Sequence, residues 1–251
     1  MLVAYLIPAT SVLKNCDLLK NRFDIESAKK LAKIGAEKGI MFTGMTRDQT
    51  VVNFHNLGGQ NLKPADAILI ASDLKFMAVL TELQLVGLSK IGAEGALAIA
   101  EALKVNAVLT LLRFDDDNIG VDGAKAIAEA LKVNAVLTTL YITNNNIGDE
   151  GAIAIAEALK VNAVLTELEL GFNSIGDEGA IAIAEALKVN SGLTFLDLGN
   201  NNNNGVDGAK AIAEALKVNA GLTFQGLEAV LRSVRTAENI TLFFAQAPAR
   251  R

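Results

Sequence analysis

The amino-acid sequence predicts an α/β solenoid, in which short parallel strands alternate with helices along one axis. The segment AIAEALKVN occurs five times, and its copies begin at Ala98, Ala126, Ala154, Ala182 and Ala211. The spacings between successive copies are therefore 28, 28, 28 and 29 residues. A repeat of this length cannot bury its apolar face alone, so neighbouring units are expected to stack into one continuous core.

One unit, residues 137–164, justifies each element in turn. Its first, fourth and sixth positions hold Leu137, Leu140 and Ile142, and the last two alternate as in a short strand. A loop then leads to a helix whose apolar residues are spaced at i, i+3, i+4 and i+7, namely Ala152, Ile155, Ala156 and Leu159. Asp149 or Glu150 is expected to cap this helix and to favour its positive end.

The stacking of units predicts the overall architecture. Strands of successive units are expected to pair in a parallel sheet, with the helices packed behind it and alanines allowing close approach. The crossover from strand through helix to the next strand suits the right-handed connection that such units adopt. Because a helix is bulkier than a strand, the stack is expected to curve, with strands on the concave face and helices on the convex face.

The spacing LxxLxLxxN, the 28-residue period and the helix sequence resemble the leucine-rich-repeat family, in particular its ribonuclease-inhibitor-like subfamily. The resemblance covers residues 80–223 and implies a curved horseshoe segment. In the family, the asparagine of the motif bonds backbone groups of the turn and forms a ladder. Asn145, Asn173 and Asn201 hold that position here, whereas Asp117 and Leu88 replace it in the two earlier units. Leu88 is expected to disturb the turn of its unit.

The ends of the chain depart from the repeat, and three regions are predicted. Residues 1–50 form an N-terminal cap, in which Asp24 begins a helix that runs to about Lys38 and ends at Gly39, followed by a strand at residues 40–42. Residues 51–223 hold the repeats, and the first is degenerate, with its strand in residues 51–56 and its loop and helix in residues 62–74. Residues 224–251 form a C-terminal cap and tail, with helical spacing in residues 227–234.

Composition excludes several classes of protein. Cys16 and His55 are the only residues of their types, which excludes an internal disulfide framework, a multi-cysteine metal site and a histidine-clustered metal centre, and we expect no cofactor. A net charge of −5 argues against binding to nucleic acid or to an anionic membrane. The apolar N-terminus has no basic residue before it, which favours a first strand or cap over a secretory signal peptide. A cytoplasmic location is expected.

Two polar segments are candidates for chemistry. Residues 115–118, of sequence DDDN, are the densest carboxylate cluster, and hard cations such as Ca²⁺ bind several oxygens at short range. Their spacing matches no Ca²⁺-loop template, which favours a solvated turn in which Asp117 replaces the ladder asparagine. The asparagine run at residues 200–204 indicates a longer polar turn. The sequence has neither a GxxxxGK[ST] phosphate loop nor a GxSxG nucleophile motif.

The outward positions of the predicted strands form the candidate binding site. The helices are almost copied from unit to unit, whereas the third and fifth strand positions, which alternation places on the concave face, are diverse. Drift at unconstrained solvent positions is the alternative explanation. The candidate contact residues are Glu82, Gln84, Leu111, Arg113, Thr139, Tyr141, Glu167, Glu169, Phe195 and Asp197.

The function that we predict is a non-catalytic protein-interaction module that binds its partner on the concave strands and adjoining loops. This step is implied by the resemblance, since leucine-rich repeats of this subfamily commonly work that way. The acidic and aromatic composition of the concave positions favours a protein partner with basic and apolar contact residues. Two alternatives stay open, namely a GTPase-activating protein of the Ran type, which is built on similar repeats, and a structural spacer.

Overall fold

A computed structural model describes residues 13–54, 62–86, 90–201 and 205–223. In chain order the helices are α1 (Ile25–Lys38), α2 (Pro64–Asp73), α3 (Gly92–Leu103), α4 (Gly120–Leu131), α5 (Gly148–Leu159), α6 (Asp177–Leu187) and α7 (Val206–Val218). The strands are β1 (Val51–Asn53), β2 (Glu82–Val86), β3 (Leu111–Asp115), β4 (Thr139–Tyr141), β5 (Glu167–Glu169) and β6 (Phe195–Asp197). A short 3₁₀ helix (Leu74–Phe76) follows α2.

The strands form one six-stranded parallel sheet in the order β1-β2-β3-β4-β5-β6. Equivalent residues of successive units are register partners, so that Leu112 faces Leu140, Leu140 faces Leu168 and Leu168 faces Leu196. The helices pack side by side behind the sheet in the same order. The predicted α/β leucine-rich-repeat solenoid, with strands and helices on opposite faces, is therefore confirmed.

The core lies between the sheet and the helices. The leucines at the fourth position of each strand unit, such as Leu112, Leu140 and Leu168, are buried, as are the four predicted helix residues Ala152, Ile155, Ala156 and Leu159. Neighbouring helices approach so closely that a Cβ added to Gly151 would lie 3.0 Å from the Cβ of Ala124 in the preceding helix. Glycine at this point of each unit therefore sets the distance between helices, as the predicted close packing requires.

Two ladders of asparagine side chains join the turns of the repeats. Asn145 Nδ2 donates to the carbonyl oxygens of Phe114 at 2.8 Å and Thr143 at 2.9 Å, while its backbone N–H donates to Asn173 Oδ1 at 2.8 Å. At the other end of the strands, Asn134 Nδ2 donates to the Leu103 carbonyl oxygen at 2.8 Å. Buried turn groups are thereby satisfied across unit boundaries, which confirms the ladder that the motif predicts.

The N-terminal helix agrees with the sequence, but the strand predicted after it does not. Helix α1 begins after Asp24, whose Oδ1 accepts from Ser27 N at 2.6 Å, and ends at Gly39 in the left-handed conformation. Residues 40–42 do not join the six-stranded sheet. Met41 forms an isolated parallel bridge with Asn15. The chain there bonds to residues 14–18, as Cys16 N donates to the Met41 carbonyl oxygen at 2.9 Å and Leu18 N to that of Phe42 at 2.8 Å. It also bonds to the buried carboxylate of Asp73. Burial raises the pKa of this carboxyl to about 6.

Two further predictions are wrong. Asp149 and Glu150 do not cap α5, whose N-cap residue is Ile147, although both lie in its first turn, where acids favour the positive end of a helix as predicted. Residues 115–118 do not form a solvated turn throughout, because Asp117 is fully buried in the ladder position and Asp115 is only 7% exposed. His55, Leu88, residues 202–204 and the predicted C-terminal cap lie outside the described residues. No helix within the described ranges is long and apolar enough to cross a membrane.

Candidate functional site

The ten candidate contact residues lie together on the face of the sheet that the helices leave uncovered. Strand alternation turns the fourth-position leucines toward the helices, and the ten residues are all half-buried on the opposite side. The third-position row is Glu82, Leu111, Thr139, Glu167 and Phe195, and the fifth-position row is Gln84, Arg113, Tyr141, Glu169 and Asp197. We call these two rows the open sheet face.

Tyr141 lies at the centre of the open sheet face and is held by residues on both neighbouring strands. The guanidinium carbon of Arg113 lies 5.3 Å from the centroid of the Tyr141 ring, which is a cation–π distance. The Tyr141 hydroxyl donates to Glu167 Oε2 at 2.9 Å. Desolvation first, and then the Glu167 carboxylate, raise the pKa of Tyr141 to about 12. Tyr141 is therefore protonated at neutral pH, and its ring is held in one orientation.

The positive charge of Arg113 is already balanced within the chain. Its Nε donates to Asp115 Oδ2, and Asp115 is almost completely buried beside it. The other carboxylate oxygen of Asp115 has no hydrogen-bond partner among the described residues. Because this ion pair is partly desolvated, its two members hold one another in a fixed geometry. Arg113 is thus a positioning group for Tyr141 more than a free cation.

The β5 and β6 end of the open sheet face carries an excess of negative charge, which Arg113 offsets only in part. Glu169 and Asp197 are register partners on adjacent strands, and Glu167 lies on the same face. Burial is the main cause that raises the pKa of Glu169; Arg113 lowers it, and Asp197 raises it further. Asp197 Oδ1 accepts from Gly199 N at 2.7 Å. A positive group from a partner would therefore be attracted to this end of the sheet.

Phe172 is an exposed aromatic residue that follows β5, and the strand pattern does not predict it as a contact residue. Phe172 is 53% exposed and has a φ of +58°. It follows β5 at the eighth position of its unit, where the first unit holds Gly87 and three other units hold Asp116, Asn144 and Asn200. Those three residues share the left-handed conformation, which asparagine and aspartate tolerate. A phenylalanine in a column of asparagine and aspartate was the signal that could have revealed it.

The three carboxylates at residues 115–117 have different surroundings. Among the residues that the structure describes, no group of three histidine, cysteine, aspartate or glutamate side chains could hold a metal ion. Asp115 pairs with Arg113 on the open sheet face, whereas Asp117 lies in the asparagine ladder. The calcium interpretation of this cluster therefore gains no support from the fold.

Comparison with known proteins places the chain among leucine-rich-repeat proteins. The family described as TMOD/LMOD Leucine-rich domain matches residues 115–242, slightly more than half of the chain. The solved structure "Leiomodin-1 Actin-Binding Site 2 (ABS2)" has 27% sequence identity and a TM-score of 0.46, over 59% of this chain and 86% of that chain. Among curated proteins, none matches this chain.

Proposed function

The chain belongs to the TMOD/LMOD Leucine-rich domain family, and on that premise we propose that it is a non-catalytic module that binds a partner protein on the open sheet face. The ribonuclease-inhibitor-like subfamily and a cytoplasmic location stay predictions from the sequence. The observation that carries the proposal is the presence of three half-exposed apolar and aromatic side chains, Leu111, Tyr141 and Phe195, in the two rows of the open sheet face. Aromatic residues held in a fixed orientation are favourable anchors in protein interfaces.

The rigidity of the sheet supports this proposal. Each strand start is tied to the preceding unit, as Thr166 Oγ1 donates to the Thr138 carbonyl oxygen at 3.1 Å and Thr194 Oγ1 to that of Thr166 at 3.0 Å. The strand backbone between these bonds therefore loses little further conformational entropy when a partner binds. A preorganised surface of this kind is suited to binding, and the loops extend it.

The charge distribution specifies the chemistry of the partner. Five acidic residues, Glu82, Asp115, Glu167, Glu169 and Asp197, lie on or beside the open sheet face, and only Asp115 forms an ion pair with Arg113. A partner surface with basic residues around an apolar contact would be complementary. Mutation of such charges should change the association rate and its salt dependence more than the stability of the fold.

The experiment compares a triple variant of the open sheet face with a matched triple variant of the helix side. The first is Tyr141→Ala/Phe195→Ala/Glu169→Lys. The control, Leu97→Ala/Ile153→Ala/Glu129→Lys, alters two exposed apolar residues and one exposed acid on the helices. Both are first checked for matched melting curves. Partners are then quantified by affinity capture and by titration with purified actin, a probe chosen because the leiomodin-1 structure is that of an actin-binding site.

The predicted result is that a partner is lost from the first variant and retained by the control. Equal retention by both variants would contradict binding on the open sheet face. Actin serves as one defined probe. Binding would identify actin as a partner, and no binding would exclude it. Neither result alone decides which face of the protein is used.

A further inference from the structure

A column of exposed valines runs along one edge of the solenoid, where each helix ends and the chain turns toward the next strand. The valine of the repeated segment AIAEALKVN is between 62% and 74% exposed in all five copies. The five residues are Val105, Val133, Val161, Val189 and Val218. We call this column the valine edge, and it shares no residue with the open sheet face.

The asparagine that follows each valine fixes the spacing of the valine edge. Asn162 Nδ2 donates to the Asn134 carbonyl oxygen at 3.2 Å, and Asn190 Nδ2 donates to that of Asn162 at 2.7 Å. The same bond joins Asn134 to Asn106 and Asn219 to Asn190. Because the residues next to the valines bond to one another across each unit boundary, the valines form one evenly spaced column on a rigid support.

The turn between helix and strand does not require an apolar surface. The position two residues after each valine is also exposed, and it holds Ser191 in one unit and alanine in the other four. A polar side chain is therefore accepted on this edge. Exposed apolar residues that occur singly need no explanation, but an unbroken column of five is the kind of apolar surface that marks an interaction site.

The charges that border the valine edge are neutralised within each unit. The lysine before each valine pairs with the glutamate three residues earlier, as Lys160 does with Glu157 and Lys188 with Glu185. The same pair is present in the other three units. Two copies of a chain with a net charge of −5 repel one another through their acidic surfaces. The valine edge is a neutral strip on which this repulsion is weakest.

We propose that the valine edge is the surface through which two copies of this chain associate. The stacking of the units sets the distance between successive valines, and a second copy repeats that distance along its own column. Two such columns stay in register along the whole edge, whereas a surface without this period would match only one or two valines. A two-fold arrangement makes the contact closed and self-complementary, and it places the central Val161 opposite Val161 of the other copy. This proposal does not depend on the proposed function.

The test compares charge insertion on the valine edge with the same insertion on the helices. The first variant is Val161→Lys/Val189→Lys, and its control is Leu97→Lys/Ile153→Lys, which adds the same charge at two other exposed apolar residues. A third variant, Val161→Thr/Val189→Thr, keeps the shape of the valine side chain and replaces one methyl group by a hydroxyl. Thermal melts first establish that all three variants fold.

Sedimentation equilibrium of the full chain, from micromolar to millimolar concentration, measures the association. We expect the mass of wild type to rise from 26.4 kDa toward twice that value. Association should not weaken between about 0.15 M and about 1 M NaCl, because salt screens charges and not apolar contacts. We expect at least tenfold weaker association in Val161→Lys/Val189→Lys, several-fold weaker association in the threonine variant and no change in the helix control. Wild type that stays a single chain at millimolar concentration, or association that the valine variants leave intact, would overturn the proposal.

Chemical crosslinking identifies the surface independently of these variants. Because Cys16 is the only cysteine of the chain, Cys16→Ser/Val161→Cys carries one thiol at the centre of the valine edge. Cys16→Ser/Ile153→Cys carries one thiol on a helix and serves as the control. With a short bismaleimide we expect a covalent dimer from the first variant and not from the second. No covalent dimer from position 161, or equal yields from both positions, would show that the copies associate elsewhere or not at all.

Discussion

Asp149 Oδ1 accepts a hydrogen bond from Gly176 N at 2.6 Å, and so this carboxylate caps the helix of the following unit. The same oxygen also accepts from Gly179 N at 2.9 Å, inside the first turn of α6. Asp177 repeats the contact one unit later, where its Oδ1 accepts from Gly208 N at 2.8 Å in α7. Helix capping in the second half of the solenoid therefore joins neighbouring units.

The type of residue at the capping position correlates with the backbone conformation of the glycine that it faces. Gly176 and Gly205, which face Asp149 and Asp177, are extended, with φ of −95° and −80°. In earlier units, where the capping position holds an apolar residue, the equivalent glycines have positive φ. The apolar residues are Ala65, Ala93 and Val121, and the glycines are Gly92 at +62°, Gly120 at +62° and Gly148 at +58°.

Asp149→Ala is expected to destabilise the protein by about 1 kcal/mol, the usual cost of losing an N-cap. Two backbone N–H groups of α6 lose their acceptor, and the helix that frays belongs to the next unit. The matched control is Glu178→Ala, which removes an exposed acid from the first turn of the same helix. Urea unfolding of both variants measures the difference. Equal losses of unfolding free energy in the two variants would show that α6 is stabilised by negative charge near its end and not by the cap.

Asp117 holds the ladder position that asparagine holds in later units, and the chemistry of the two side chains differs. Asn145 donates from Nδ2 to two carbonyl oxygens, whereas an ionised aspartate has no hydrogen to donate. Neither carboxylate oxygen of Asp117 forms a hydrogen bond of good geometry among the described residues, although the backbone N–H of Ile91 acts to lower its pKa. Burial first, and then the charge of Asp115, raise the pKa of Asp117 to about 8. The side chain is therefore protonated at neutral pH.

Asp117 should make the stability of the protein depend on pH in a defined direction. Because its pKa is about 8 in the folded state and near 3.8 in the unfolded state, the folded state binds the extra proton between these values. Protonated Asp117 contributes its full stabilisation below pH 4. As pH rises toward 8 this contribution is lost, and the free energy of unfolding falls by roughly 1.4 kcal/mol per pH unit.

The measurement is urea unfolding of wild type and Asp117→Asn at several pH values between 4 and 9. We expect the asparagine variant to gain stability relative to wild type as pH rises through this range, and the gain to level off above about pH 8. Parallel pH profiles of the two proteins would show that Asp117 titrates normally in the folded state.

Leu140 and Tyr141 are neighbours on β4 that face opposite sides of the sheet, and they should respond differently to truncation. Leu140 is fully buried, so Leu140→Ala should cost about 2–5 kcal/mol. Tyr141→Ala removes a cation–π contact and one hydrogen bond at a half-exposed site, and should cost about 1 kcal/mol. Thermal melts of the two variants compare these losses. A large loss in Tyr141→Ala would mean that the ring is part of the core.

Much of the fold follows from the sequence because one physical pattern is repeated. The spacing of Leu137, Leu140 and Ile142 and the helix face around Ile155 are local properties, and each unit repeats them. The register of the sheet follows as well, since equivalent residues of identical units become partners.

The remaining features depend on contacts between units that no local pattern encodes. The target of the Asp149 carboxylate is Gly176, which depends on how α5 and α6 are offset. The placement of Arg113 over Tyr141 depends on the register of β3 and β4, although both residues were identified as candidates. The exposure of Phe172 depends on the left-handed turn after β5, which lies outside the alternating strand positions.

The central claim, that a partner binds the open sheet face, is tested most directly by site-specific photo-crosslinking. A benzophenone amino acid replaces Phe195 on the open sheet face in one variant and Leu97, which is 50% exposed on a helix, in the other. We predict that the variant labelled at position 195 crosslinks to the partner and that the variant labelled at position 97 does not. Crosslinking from position 97 alone, or equally from both, would contradict the account.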